Sequence, residues 1–172
     1  MKTNLIFTFI MLAFCHALAN DWKTNEWGEI TNNVQMSINL KNNEREIKIG
    51  EPILLAGHIR NLSTNETFLG YRPSAGAPDL TFVVINPFGN DVSPKFPKDN
   101  VSISGAMVSV SPGQTKSFKF DLNVLFKLWY LQKFDKVGTY TIIARQKGYS
   151  GTNQTAFTVT SNPLYVTVVA DK

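Results

Sequence analysis

Cysteine is almost absent from this chain: Cys15 is the single one, and it lies in an apolar stretch at the N-terminus. One cysteine cannot make an intrachain disulfide, and no thiolate zinc cluster can be assembled from it. Histidine is nearly as scarce, with His16 in the same stretch and His58 beyond it. Once residues 1–19 are set aside, His58 alone titrates near neutral pH by default, and thiol nucleophiles and histidine-rich metal sites are excluded. Runs of like charge are lacking as well. The formal charge of +4 comes from 17 basic residues spread over the chain, with no basic block or helix, so the electrostatic footprint of a nucleic-acid binder is missing. Long apolar runs are also missing: Leu5 to Phe14 falls short of the roughly 20 residues that span a bilayer, so no membrane span is expected.

The N-terminus is nonetheless informative. Lys2, the apolar run Leu5 to Phe14 and the small-residue end Ala17-Leu18-Ala19 read as a secretory signal peptide over residues 1–19. The mature chain then begins at Asn20 and is secreted or periplasmic. Lipid attachment at Cys15, which would make a cell-surface lipoprotein, needs a small residue just before it, and Phe14 is bulky. Residues 20–33, polar apart from Trp22 and Trp27, read as an arm, and 34–172 as a single domain. A domain of about 150 residues buries about 70% of its unfolded surface, which suffices without disulfides.

From residue 34 onward the pattern is that of strands. Val34 to Leu40 alternates apolar and polar, and Ile47 to Ile49 is a short edge segment. Ile53 to Asn61 reads as a central strand in which Gly57 marks a bulge or a close backbone approach. Phe68 to Arg72 and Leu80 to Ile85 are further strands, separated by a Pro/Gly-rich loop and closed by the turn Asn86 to Asn90. Asp91 to Asn100 is loop or edge, and Val101 to Val110 alternates across an interruption at Gly105 that suggests a bulge. Ser111-Pro112-Gly113-Gln114 is a turn, after which Phe118 and Phe120 share one strand face and Lys119 takes the other. Val124 to Gln132 is at most one helical turn. Gly138 to Ala144 is a β-branched strand, Lys147 to Gln154 a polar loop, and Ala156 to Thr160 and Leu164 to Val169 close the chain. Short strands at spacings near ten residues predict an all-β fold, an immunoglobulin-like antiparallel β-sandwich of about 7 to 9 strands without a disulfide.

The order Gly50-Glu51-Pro52-Ile53-Leu54-Leu55, Arg60-Asn61-Leu62-Ser63, Ser111 to Thr115 and Val137-Gly138-Thr139-Tyr140-Thr141-Ile142 resembles bacterial secreted immunoglobulin-like sandwiches. It is more distantly similar to the intracellular proteinase inhibitor family. That resemblance spans about Gly50 to Gln146 and implies the fold, with Tyr140 as a corner tyrosine whose hydroxyl caps upstream backbone. Ile142 stands where antibody domains place their second cysteine, and no binding residue is implied.

Chemistry-bearing residues are few. His58 lies mid-strand, where a histidine with one satisfied nitrogen is the expected state, and no serine near it sits in a nucleophile-elbow sequence. Asp91, Asp99, Asp121 and Asp135 could meet at one end to bind calcium or act as acid and base, but their spacing contains no calcium-loop motif. Phe126, Trp129, Tyr130 and Phe134 gather in one crossover, either stacking on a sugar or protein partner or plugging the end of the sandwich. Asn61, Asn65, Asn100 and Asn153 open N-x-S/T triplets, which matter only in a glycosylating host.

These residues together lead to the expectation of a secreted, non-catalytic sandwich without cofactor or metal, acting as a protein-interaction or assembly module. Contacts are expected from end loops, with Arg72, Phe88, Phe96, Trp129 and Tyr130 as candidate interaction residues. A peptidase inhibitor acting through an end loop and a carbohydrate-binding module are the alternatives. The oligomeric state is open.

Overall fold

Alternation at 34–40 puts Val34, Met36, Ile38 and Leu40 on one face, and all four are buried in the first strand. The computed structural model describes residues 26–41, 46–71, 79–94, 106–122, 134–150 and 155–170. Within them the strands are β1 (Val34–Leu40), β2 (Glu46–Lys48), β3 (Leu54–Asn61), β4 (Thr67–Tyr71), β5 (Leu80–Ile85), β6 (Ala106–Val110), β7 (Thr115–Asp121), β8 (Gly138–Ser150), β9 (Thr155–Thr160) and β10 (Leu164–Val169). They form an all-β sandwich. One sheet has the order β1-β3-β7, and the other runs β2-β10-β8-β4-β6, with β5 and β9 also paired to β8. Every pairing is antiparallel except that of β2 with β10. Among the described residues no helix is long and apolar enough to cross a membrane.

Thirteen-residue β8 organises the larger sheet. Along one side it pairs first with β10 and then with β9, and along the other first with β5 and then with β4. The ten segments therefore occupy eight strand positions, because β9/β10 and β4/β5 are each one interrupted strand, and the expected size of the sandwich holds. Between β9 and β10 the register passes from Thr160↔Arg145 to Leu164↔Ile142, so residues 161–163 contain one more residue than β8 opposite them. This is a bulge. It turns Asn162 toward the other sheet, where its amide pairs with the backbone of Ile38.

The core lies between the sheets: Met36, Ile38, Leu55 and Ile59 meet Val84, Ile142, Val166 and Val168, all buried. Phe82 of β5 and Phe120 of β7 close across it edge to face, with centroids 5.6 Å apart. Lys119 is exposed between half-buried Phe118 and Phe120, as the alternation requires.

The polar loop expected from Lys147 is overturned as far as Ser150, since β8 continues through it. Its inward positions there are Gln146 and Gly148 rather than apolar residues. Gln146 Nε2 donates to Gly70 O at 2.7 Å, and Gly148 leaves room for Phe157 directly opposite, whose ring would stand 2.4 Å from any added Cβ. At Gly57 the ladders to β1 and β7 run unbroken, so there is no bulge. The glycine instead admits the Phe120 ring, which would lie 2.9 Å from a methyl at that position. The segment 101–105, with its expected bulge at Gly105, and the turn 124–132 lie outside the described residues.

One end of the sandwich is knotted by Asn61. Its buried side chain donates from Nδ2 to Asn65 O (2.7 Å) and Val110 O (2.8 Å), and Oδ1 accepts from Ser63 N (2.9 Å) and Ser63 Oγ (2.7 Å). Its backbone meanwhile bonds Gln114 O and Gly113 N. One residue thus ties β3, the turn to β4 and the turn from β6 to β7.

Candidate interaction surface

At the other end, β5 runs into the turn Asn86-Pro87-Phe88-Gly89-Asn90. Asn86 Oδ1 accepts from Phe88 N at 3.0 Å and Asn90 N at 2.9 Å, while its backbone bonds Gly89 N and Asn90 O. An asparagine suits this place because its short carboxamide mimics a backbone turn. The following segment is tied back to β5: Val92 N donates to Val84 O at 2.8 Å, and Val84 N to Ser93 Oγ at 2.9 Å. Held this way, Phe88 projects with 70% of its surface exposed. The backbone that carries the ring is already ordered by this turn, so binding need order only the side chain itself.

Beside it lies the corner that leads into β8. Lys136 N donates to Tyr140 Oη at 3.2 Å, so the tyrosine hydroxyl does cap upstream backbone, and Phe134 packs edge to face on the Tyr140 ring at 4.9 Å. Burial raises the Tyr140 phenol above its ordinary value of 10.0, the Lys136 amide opposes this, and the Asp135 charge adds to it. Gly138 follows with φ of 129°, a conformation that L side chains rarely adopt, and a Cβ there would come within 2.7 Å of Pro87. The corner is thus pressed against the Phe88 turn, and Val137 is left 55% exposed.

Strand order extends this rim. Val168 pairs with Gly138, Lys48 with Val169, and Ile49 N donates to Val169 O at 3.0 Å, so β5, β8, β10 and β2 end side by side. The rim carries Phe88, Val137 and 40%-exposed Ile49 as its large apolar groups. Asp135 and Lys136 form an exposed ion pair at 3.9 Å, of a kind that contributes little.

The outer face of the smaller sheet is polar. Ser37, His58 and Ser117 share one row across β1, β3 and β7, and His58 Nδ1 lies 2.9 Å from Ser117 Oγ, the one-nitrogen partnership expected of a strand histidine. Burial pushes the His58 pKa below its ordinary 6.5, so the ring is neutral at pH 7. Alongside, the Arg60 guanidinium sits 4.2 Å over the Trp27 ring and bonds Gln35 Oε1 through Nε at 2.9 Å and through Nη2. Trp27, read as part of an arm, packs here against the sandwich.

Of the five candidate interaction residues, Phe88 is exposed at the rim, whereas Arg72, Phe96, Trp129 and Tyr130 lie outside the described residues. Asp99 is outside them too. Asp91 is a local turn acid whose Oδ1 accepts from Ser93 N at 2.8 Å, and among the described residues no three His, Cys, Asp or Glu side chains gather. Val137 and Ile49 escaped notice as surface groups. The signal was present, since each is a bulky apolar residue immediately before a glycine at a strand terminus, Ile49 just after β2 and Val137 just before β8.

No family model and no curated protein sequence matches the chain. Among solved structures it is similar to a Northeast Structural Genomics Consortium target, SoR45, with TM-score 0.51 and 10% identity over 81% of this chain and 90% of that one. It is also similar to the putative ApaA protein of Bordetella pertussis, with TM-score 0.46 and 9% identity over 84% and 96% of the two chains. A third is the sporulation control protein Spo0M of Bacillus subtilis, with TM-score 0.46 and 14% identity over 82% of this chain and 51% of that one. At these identities the first likeness concerns the fold alone.

Proposed function

We propose that this chain is an exported, non-catalytic sandwich, of the immunoglobulin-like kind that its motifs resemble, which binds a protein partner through the rim at Phe88. The observation that carries this reading is a large aromatic side chain, 70% exposed, on a turn braced by four hydrogen bonds around Asn86. Aromatic anchors dominate protein interfaces, and a pre-ordered one binds at lower entropic cost. Val137 and Ile49 extend the apolar contact along neighbouring strand ends. His58 has a structural part in this reading, since its partner Ser117 lies in a regular strand rather than on a sharp nucleophile-presenting turn.

A second reading, the peptidase inhibitor, is favoured by the same bracing, because a rigid projecting turn suits insertion into an active-site cleft. One experiment tests both. Wild-type, Phe88→Ser and His58→Ala proteins are immobilised in parallel and exposed to secreted and envelope proteins, with bound species identified by mass spectrometry. The expected result is a protein retained by wild type and His58→Ala and lost by Phe88→Ser. If that protein is a peptidase and its activity falls on binding, the inhibitor reading is the right one. Equal retention by all three proteins would overturn both.

A further inference from the structure

A sheet edge offers backbone N–H and C=O groups to a ligand, whereas a sheet face offers only side chains. The outer face of the larger sheet is built on β8, whose outward positions are, in order, Thr139, Thr141, Ile143, Arg145, Lys147 and Tyr149, alternating with buried residues from Tyr140 to Gly148. Two of the six are cations, and both are exposed. Arg145 stands between Thr160 of β9 and Thr81 of β5, and Lys147 stands beside Thr158 of β9. Neither cation forms an ion pair among the described residues. Asp79, whose backbone carbonyl accepts from Lys147 N at 2.7 Å, packs its carboxyl against Gly70 and is buried.

Along the same face Tyr165 of β10 stands opposite Thr141, with 56% of its surface exposed. Thr167, also outward on β10, meets Thr139 with the two hydroxyls 3.3 Å apart. From the Tyr165 row to the Arg145 row is about 13 Å of strand. No residue of β5, β8, β9 or β10 is acidic, so these strands present hydroxyls, one open aromatic ring and two cations without a carboxylate among them.

We propose that this face binds an acidic polysaccharide, a polyuronate, lying along β8 with one sugar ring against Tyr165 and its carboxylates on Arg145 and Lys147. Each part of the face matches such a chain. A tyrosine ring offers an apolar surface to the C–H face of a sugar and a polar tip at its edge. The guanidinium of Arg145 is a planar fork that takes a carboxylate through two parallel hydrogen bonds, and the Lys147 ammonium adds a second charge on the same face. Threonine hydroxyls beside both rows donate to and accept from sugar hydroxyls. A peptide is the poorer occupant, because its amides seek a free sheet edge, and those of β8 are engaged by β5 and β4 on one side and by β9 and β10 on the other. The site is separate from the Phe88 rim, which lies at the end of the sheet rather than on its face.

Calorimetric titration of the purified protein with polygalacturonate and with alginate tests the proposal, with dextran as the uncharged control and polyglutamate and dextran sulfate as polyanions of other kinds. Saturable binding of at least one polyuronate is expected, and none of dextran. Tyr165→Ala is expected to weaken that binding several-fold, and Arg145→Gln combined with Lys147→Gln to abolish it, while Phe88→Ala binds as wild type does. These positions are all exposed, so the variants are expected to keep the wild-type thermal midpoint. Failure of both polyuronates to bind, full binding by Tyr165→Ala, or polyglutamate or dextran sulfate bound as tightly as the polyuronate would each overturn the proposal.

Discussion

The side chain of Asn162 pairs with the backbone of Ile38 as though it were a strand residue: Ile38 N donates to Oδ1 at 2.9 Å, and Nδ2 donates to Ile38 O at 3.3 Å. The two residues belong to different sheets, so one carboxamide stitches the sandwich together at the bulge between β9 and β10.

Replacing Asn162 with leucine keeps the bulk and removes both bonds, leaving a buried donor and acceptor of Ile38 without them. The expected loss is on the order of 2 kcal/mol, read as a lower urea midpoint at unchanged slope. Hydrogen exchange at the Ile38 amide should quicken well beyond the global change. Unaltered exchange there would show that the pairing contributes nothing.

Asn61→Ala removes four side-chain bonds at once, depriving Val110 O of its Asn61 partner and leaving Asn65 O to the Ser63 hydroxyl. A loss of about 3 kcal/mol is expected in denaturant unfolding, among the larger single-residue effects. The same geometry bears on the N-x-S/T triplet at Asn61. Both hydrogens of its Nδ2 are committed inside the fold, so a folded chain carrying a glycan at Asn61 is not expected, and intact-mass and peptide mapping after expression in a glycosylating host checks this.

Gly138→Ala meets two obstacles, a φ of 129° and the Pro87 side chain within 2.7 Å. A cost of about 2 kcal/mol is expected from the backbone strain. The Phe88 turn, which leans on this glycine through Pro87, should shift as well, visible as chemical-shift changes at residues 86–90.

Protonation of His58 opposes folding. Burial lowers its pKa in the folded state below the ordinary 6.5, so the unfolded chain binds the proton more readily. Stability is therefore full at neutral pH, falls as pH drops through 6.5, and levels off below the folded-state pKa. Thermal midpoints between about pH 7 and 5.5, above the range of ordinary carboxylates, should show this slope in wild type and lose most of it in His58→Gln. An identical slope in the variant would place its origin elsewhere.

Much of this fold was legible in the sequence, for reasons specific to each strand. β1, β5 and β10 bury Ile, Val, Leu, Met or Phe at alternate positions, and period-two alternation is the signal that a half-buried strand writes. The second half of β8 was illegible because its inward positions hold Gln146 and Gly148. Their fitness depends on Gly70 O and the Phe157 ring, which are distant in sequence. Gly57, read as a bulge or a close backbone approach, is neither: it makes room for a side-chain ring, and the Phe120 that supplies it lies on another strand. Asn162 gave no warning, since a carboxamide that imitates a strand residue looks in sequence like any turn asparagine.

The candidate surface was partly legible. Phe88 could be placed in a turn by Pro87 and Gly89, and its exposure follows from that turn. That Val137 and Ile49 stand at neighbouring strand ends requires the order β5-β8-β10-β2, which joins segments far apart along the chain.

The most direct test of the central claim is the affinity of the captured partner for wild type and for Phe88→Ala, measured by titration calorimetry with both proteins shown to unfold at the same temperature. The account predicts that Phe88→Ala weakens binding by about 2 kcal/mol, roughly thirtyfold, as removal of an interface anchor does. Unchanged affinity would contradict it and would move the binding surface away from the rim.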